Sequence, residues 1–120
     1  MWRRREVSYP KVEFDNTIYY VISPKEVGNA NGLNVKFEGV VDDKPVLTYY
    51  VTGWPWSISS RLVEEDHGHR TFLKVSGVRV IFRGVALVSK GERVTVYGRV
   101  RDDTVQAHVI ETSSIIFKSK

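Results

Sequence analysis

From Gly91 to Glu111 the chain alternates in hydrophobicity. Val94, Val96 and Val100 occupy one parity, with Gly98 between them, while Arg93, Thr95, Tyr97, Arg99 and Arg101 occupy the other. A period of two in β-branched residues predicts a strand with one buried and one solvated face. Asp102 and Asp103 supply a tight turn. In the strand that follows, Val105, Ala107 and either Val109 or Ile110 point inward. The pair forms a hairpin whose outward face is arginine and tyrosine.

The same punctuation runs upstream. Ile18–Ile22 is a β-prone run that Pro24 ends, with a short helical turn signalled weakly at Pro24–Val27. Residues 28–32 are a loop by composition. Leu33–Val41 alternates around Phe37, and Gly39 falls where a strand bends or bulges. Residues 42–45 turn the chain into a strand over Val46–Thr52. Trp54 and Trp56 flank Pro55 and lead into a polar segment, Ser57–Asp66, in which Ile58, Leu62 and Val63 make at most one helical turn. Residues 67–69 turn again. Arg70–Ser76 and Val78–Arg83 are two strand-like runs broken at Gly77, or one long bent strand. Five or six strands and no long helix predict an all-β barrel or sandwich.

At 120 residues the chain is long enough for one domain. It has no apolar run of about eighteen residues, so no transmembrane helix is expected. Arg3, Arg4 and Arg5 have no apolar segment behind them, so they do not read as a secretory signal. The absence of cysteine excludes disulfides, thiolate metal sites and cysteine nucleophiles, and it fits a reducing cytoplasm. One methionine and one glutamine against twenty valines point toward a thermophile.

The placement of charge says more than the net of +4. Residues 1–60 hold seven basic and seven acidic side chains, whereas residues 70–101 hold eight basic and one acidic. The excess therefore sits on the expected sheet, as a polyanion partner requires. The terminal arginines beside Trp2 are either a frayed, solvated end or a basic arm along a phosphate backbone.

The order of these features resembles an oligonucleotide/oligosaccharide-binding (OB) fold. The long first strand with a glycine bend corresponds to Val35–Val41 with Gly39. The third strand corresponds to Val78–Arg83, and the closing turn and strands to Lys90, Gly91 and Glu92, then Val94, Val96, Gly98 and Val100, then Val105, Ala107 and Ile110. The resemblance covers residues 33–112. It implies a five- to six-stranded OB-like Greek-key barrel, with residues 1–32 as a basic arm and β-prone extension and 113–120 as a tail. Two departures stand out: the usual helix before the closing strands shrinks to Val85–Ser89, and residues 53–70 are long for a hairpin. An SH3-like barrel or an unrelated β-sandwich satisfies the same punctuation.

OB folds that hold single strands combine a cationic groove with aromatic platforms. Here the cations are Lys74, Arg79, Arg83, Arg93, Arg99 and Arg101, which alternate with valines and so face outward. The aromatics are Tyr49, Tyr50, Trp54, Trp56, Phe72 and Tyr97. Adjacent Tyr49 and Tyr50 point to opposite faces of a strand. The two tryptophans serve equally as a lid over the barrel end, and Phe72 serves as core. His67 and His69 beside Glu64, Glu65 and Asp66 lack a further ligand at metal-site spacing, so a solvated acidic loop is expected. No nucleophile is paired with a positioned base and no phosphate loop is present, so neither enzyme activity nor a cofactor is expected.

The resulting expectation is a cytoplasmic module that binds single-stranded nucleic acid, DNA before RNA, with little sequence preference. It is similar in architecture to a small replication-protein-A-type subunit. The competing expectation is a non-catalytic protein–protein interaction subunit or homo-oligomer, with Ile18–Ile22 and Ile115–Phe117 as apolar edges. An oligosaccharide-binding barrel would use the same aromatics without needing the arginines.

Overall fold

A computed structural model describes residues 9–50 and 68–119, with Tyr50 described in its backbone alone. The elements are β1 (Lys11–Phe14), β2 (Thr17–Val21), a 3-10 helix (Pro24–Asn29), β3 (Asn34–Val40), β4 (Val46–Tyr50), β5 (Gly68–Val75), β6 (Val78–Arg83), β7 (Arg93–Arg101), β8 (Thr104–Glu111) and β9 (Ile116–Lys118). The protein is all-β with little helix, as the alternation predicts. Six strands, β3 to β8, lie within residues 33–112; the others come from the N-terminal extension and the tail.

The nine described strands form one mixed sheet in the order β1-β2-β3-β7-β8-β6-β5-β4, with β9 paired to β8. Parallel ladders join β2 to β3 and β6 to β8, and the other ladders are antiparallel. The turns at Asp15–Asn16, Ser76–Gly77 and Asp102–Asp103 each put two successive residues at positive φ. That is the conformation of a two-residue hairpin loop, whose twist matches the strands it joins. Gly77 therefore ends one strand and starts the next, so residues 70–83 are two strands rather than one.

The end of β3 meets the end of β5 at a single bridge, Val41–Val75, so the sheet is open along this seam instead of closed by a ladder. Hydrogen bonds from Asp42 N to Lys74 O (2.8 Å) and from Ser76 N to Val40 O (2.9 Å) stitch it. Gly39 lets the strands approach, because a Cβ there would fall 2.8 Å from Val75 Cγ1 and 2.9 Å from Ser76 Cβ. The expected bulge is absent, since β3 keeps its register with β7 through Gly39.

The concave side encloses the core. Val35, Phe37, Val75, Val80, Phe82, Val96 and Ile110 are essentially inaccessible. Residues 85–89 form neither helix nor strand, and they send Ala86 and Val88 inward while Val85 and Leu87 stay exposed. The fully buried Thr71 hydroxyl fixes this loop: it donates to Gly84 O (2.8 Å) and accepts from Ala86 N (3.1 Å). The 3-10 turn starts at Pro24, where the missing N–H costs nothing, and Glu26 accepts the Ser23 N–H at 2.9 Å.

A second, smaller core lies on the convex side. The β1–β2 hairpin places Tyr19, Val12 and Phe14 against Tyr97 and Val109. A bulge makes this possible. Tyr97 pairs with Val109 and Gly98 with Ala107, which leaves His108 as the extra residue. The alternation of β8 is thereby reset: Val105, Ala107 and Ile110 face the main core, and Val109 faces the second one. Among the described residues no helix is long and apolar enough to cross a membrane.

Candidate nucleic-acid interface

On the convex face of β5 and β6 the outward positions carry Arg70, Phe72, Lys74, Arg79, Ile81 and Arg83. Their inward neighbours Thr71, Leu73, Val75, Val78, Val80 and Phe82 are buried. Strand pairing sorts this face into three rows. Lys74 lies opposite Arg79, whose β8 partner Thr104 lies opposite Arg101. The next row runs from Val46 through Phe72, Ile81 and Gln106 to Arg99. The third begins at Thr48 and pairs Arg70 with Arg83. An apolar and amide row that ends in Arg99 is thus flanked by two cationic ones.

Like charges directly opposite one another on a sheet are destabilising. Lys74 and Arg79 nonetheless face each other, and neither makes an ion pair among the described residues. Their arrangement works against the folded state. Phe72, whose sequence position equally suits a core residue, is 41% exposed between these cations, so its ring is presented to solvent.

Arg93 does not join this group. It is six residues before Arg99, about 20 Å along the strand, and its guanidinium lies 3.9 Å from the Glu38 carboxylate. Tyr97 departs from expectation more sharply. The alternation puts it outward with the arginines, but it is buried, stacked on Phe14 at 4.7 Å and edge-on to Tyr19 at 5.2 Å. The cause is the β1–β2 hairpin, which covers the convex side of β7 at that point. Tyr97 is therefore not a platform for a ligand. Tyr49 is exposed and packs edge-on against His69 at 5.1 Å. The Tyr50 side chain, Trp54, Trp56, His67 with its acidic neighbours, and the terminal arginines lie outside the described residues.

Sequence reasoning passes over Ile81, Gln106 and His108. Ile81 and Gln106 are legible in retrospect, since each sits two residues from a proposed cation on the same strand parity or its partner. His108 carries no such signal. It occupies the bulge, where its Nδ1 lies 3.0 Å from the Tyr19 hydroxyl. Burial, reinforced by Arg99, pushes its pKa below the ordinary histidine value. Burial likewise raises the Tyr19 and Tyr97 hydroxyls above their ordinary value, with Glu111 adding to the effect at Tyr97.

The bulge also opens a cleft. β6 runs beside β8 from Thr104 to Ala107, and β9 takes the same edge from Val109 to Glu111. Between them lies a cleft of about 310 Å³ lined by Arg70, Ile81, Arg83, Gln106, His108 and Ser119. Among the described residues no cluster of three histidine or carboxylate side chains is placed to hold a metal ion. No protein-family model matches the chain, and neither a curated protein nor a solved structure shows significant similarity to it.

Proposed function

We propose that the protein is a cytosolic, non-catalytic module that binds single-stranded nucleic acid, DNA in preference to RNA, across the convex face of β5, β6 and β8. The observation that carries this reading is the three-row arrangement: cations at Lys74, Arg79 and Arg101 on one side, Arg70 and Arg83 on the other, and Phe72 with Ile81 between them. Cations at the flanks suit phosphates. An exposed ring between them suits a base, and such a stack is worth about 1–3 kcal/mol. The face offers few groups fixed to read base edges, so the expected sequence preference is small.

The pairing order supports an OB-type architecture for the same reading. β3 and β4 act as two halves of one bent strand, the first paired with β7 and the second with β5. β6 runs parallel to β8, and β8 antiparallel to β7. In OB folds the face of the second and third strands receives the ligand, and on this reading β5 and β6 correspond to those strands. On this reading the irregular loop at residues 85–89 stands where such folds commonly have a helix.

Fluorescence anisotropy of a labelled single-stranded oligonucleotide, repeated across salt concentrations, tests the reading. If Lys74, Arg79, Arg99 and Arg101 each neutralise one phosphate, log affinity falls with log salt at a slope of about −3. A protein that shifts neither anisotropy nor gel mobility at low salt overturns it.

The second reading, a protein-docking subunit, draws on β4. This edge strand exposes Val46, Leu47 and Tyr49, so apolar groups emerge on both of its faces. Arg79→Glu with Arg99→Glu separates the two readings. The pair abolishes binding to nucleic acid under the first and leaves a protein complex largely intact under the second.

A further inference from the structure

The cleft where β6 parts from β8 has a chemical bias of its own. Every polar side chain lining it carries an N–H or O–H donor: Arg70, Arg83, Gln106, His108 and Ser119. Among the described residues no carboxylate lines it. Arg70 and Arg83 stand opposite each other in the β5–β6 register. Guanidinium groups in a fixed fork are the side chains best matched to phosphate oxygens.

Histidine contributes through its tautomer. The Tyr19 hydroxyl lies 3.0 Å from His108 Nδ1. Burial and Arg99 lower the His108 pKa and so favour the neutral ring. In the tautomer that accepts from Tyr19 at Nδ1, the ring offers its Nε2 N–H as a donor.

The far wall is fixed as well. Ser119 donates its N–H to His108 O at 2.8 Å, and Lys118 pairs with Asp15 at 3.1 Å, which ties β9 to the β1–β2 turn. The volume of about 310 Å³ is at the lower end of small-ligand sites and suits one phosphate with its sugar.

We infer that this cleft is a phosphate-binding subsite, in which Arg70, Arg83, Gln106, His108 and Ser119 donate to the oxygens of one phosphate group. The carrier of that phosphate rests on the nucleic-acid reading above. It is either the terminal phosphate of a strand lying on the β5–β6 face or an internal phosphodiester of that strand.

The test is a nuclear magnetic resonance titration of the full ¹⁵N-labelled chain at constant ionic strength. Inorganic phosphate is added first, followed by unphosphorylated, 5′-phosphorylated and 3′-phosphorylated single-stranded oligonucleotides. The expected result is saturable shifts of the Gln106 side-chain amide, the His108 ring and the Ser119 N–H, with Lys74 and Arg79 little changed by inorganic phosphate. In Gln106→Leu and in Ser119→Ala the phosphate affinity falls about two- to tenfold. Tighter binding of one phosphorylated end assigns the subsite to a strand terminus. Equal cleft shifts with all three oligonucleotides assign it to an internal phosphodiester.

Phosphate shifts that spread without saturation over Lys74, Arg79 and Arg101, or an affinity unchanged in both variants, overturn the inference. The two readings also fail separately. Strand binding that Lys74→Glu with Arg79→Glu abolishes, without any cleft response, removes the subsite and keeps the interface. Saturable phosphate binding in the cleft with no binding of any oligonucleotide removes the interface and keeps the subsite.

Discussion

The Tyr19 hydroxyl lies 3.0 Å from His108 Nδ1, joining residues 89 positions apart in the chain. The contact links the N-terminal hairpin to the bulge of β8 and so fixes the second core to the first. Tyr19→Phe removes this hydrogen bond and leaves a partly buried ring nitrogen without a partner there. Thermal unfolding is expected to report a loss of about 1 kcal/mol. The His108 pKa, followed by nuclear magnetic resonance, should stay below its ordinary value, because burial and Arg99 depress it.

The same groups set the pH range of stability. His108 has a folded pKa below its unfolded one, so the unfolded chain takes up the proton first. Its contribution is complete above the unfolded value, about 6.5, and is lost as pH falls from there through the folded value. Tyr19 and Tyr97 are shifted upward. Their contribution is complete below about 10 and is lost as pH rises beyond it. Urea midpoints measured across pH should fall on both flanks, and His108→Gln should flatten the acid flank.

Lys74→Glu is expected to improve the fold while weakening the proposed interface. It places a carboxylate opposite Arg79, where the native pair is of like charge. A cross-strand ion pair in place of repulsion should add about 0.2–1 kcal/mol. Affinity for a single-stranded oligonucleotide should drop. A variant that is more stable and binds equally well would argue against Lys74 touching the ligand.

Arg93→Glu provides the contrast. Arg93 is exposed beside Glu38 and separate from the three rows. Reversing its charge should change oligonucleotide affinity much less than Arg79→Glu does, in the same anisotropy assay.

Gly98→Ala probes the bulge. A Cβ there would meet the Gln106 carbonyl oxygen and come within 2.8 Å of Ala107 Cα, both backbone atoms that cannot swing aside. Destabilisation of about 1–3 kcal/mol is expected, read from denaturant midpoints, and the Gln106 and His108 resonances should shift with it.

The parity of Val94, Val96 and Val100 was sufficient to assign the buried face of β7, and the aspartate pair to locate its turn. These are local signals, and local steric rules decide them. The ambiguity between Val109 and Ile110 was a true feature of the chain: both are buried, on opposite faces, because one extra residue at His108 resets the alternation. Nothing in the side chains of residues 104–111 marks that insertion. It depends on Gly98 across the ladder, a residue ten positions earlier. Tyr97 was misread for a related reason. Its strand parity is outward, and what buries it is a hairpin about eighty residues upstream. Phe72 shows the opposite limit: aromatic character is compatible with a core or a platform, and register alone puts it between Lys74 and Arg70.

The tail strand acts as a guard. Beyond Ala107, β6 no longer covers β8, and without β9 the edge from Val109 to Glu111 would carry unpaired backbone groups beside Ile110. Such an edge is a template for pairing with another chain. Shortening the protein before Ile116 should therefore convert a dispersed species into one that self-associates with concentration, measurable by light scattering. The residues that follow this strand include Ser119 of the proposed phosphate subsite, so the same truncation should weaken phosphate binding as well as expose the edge.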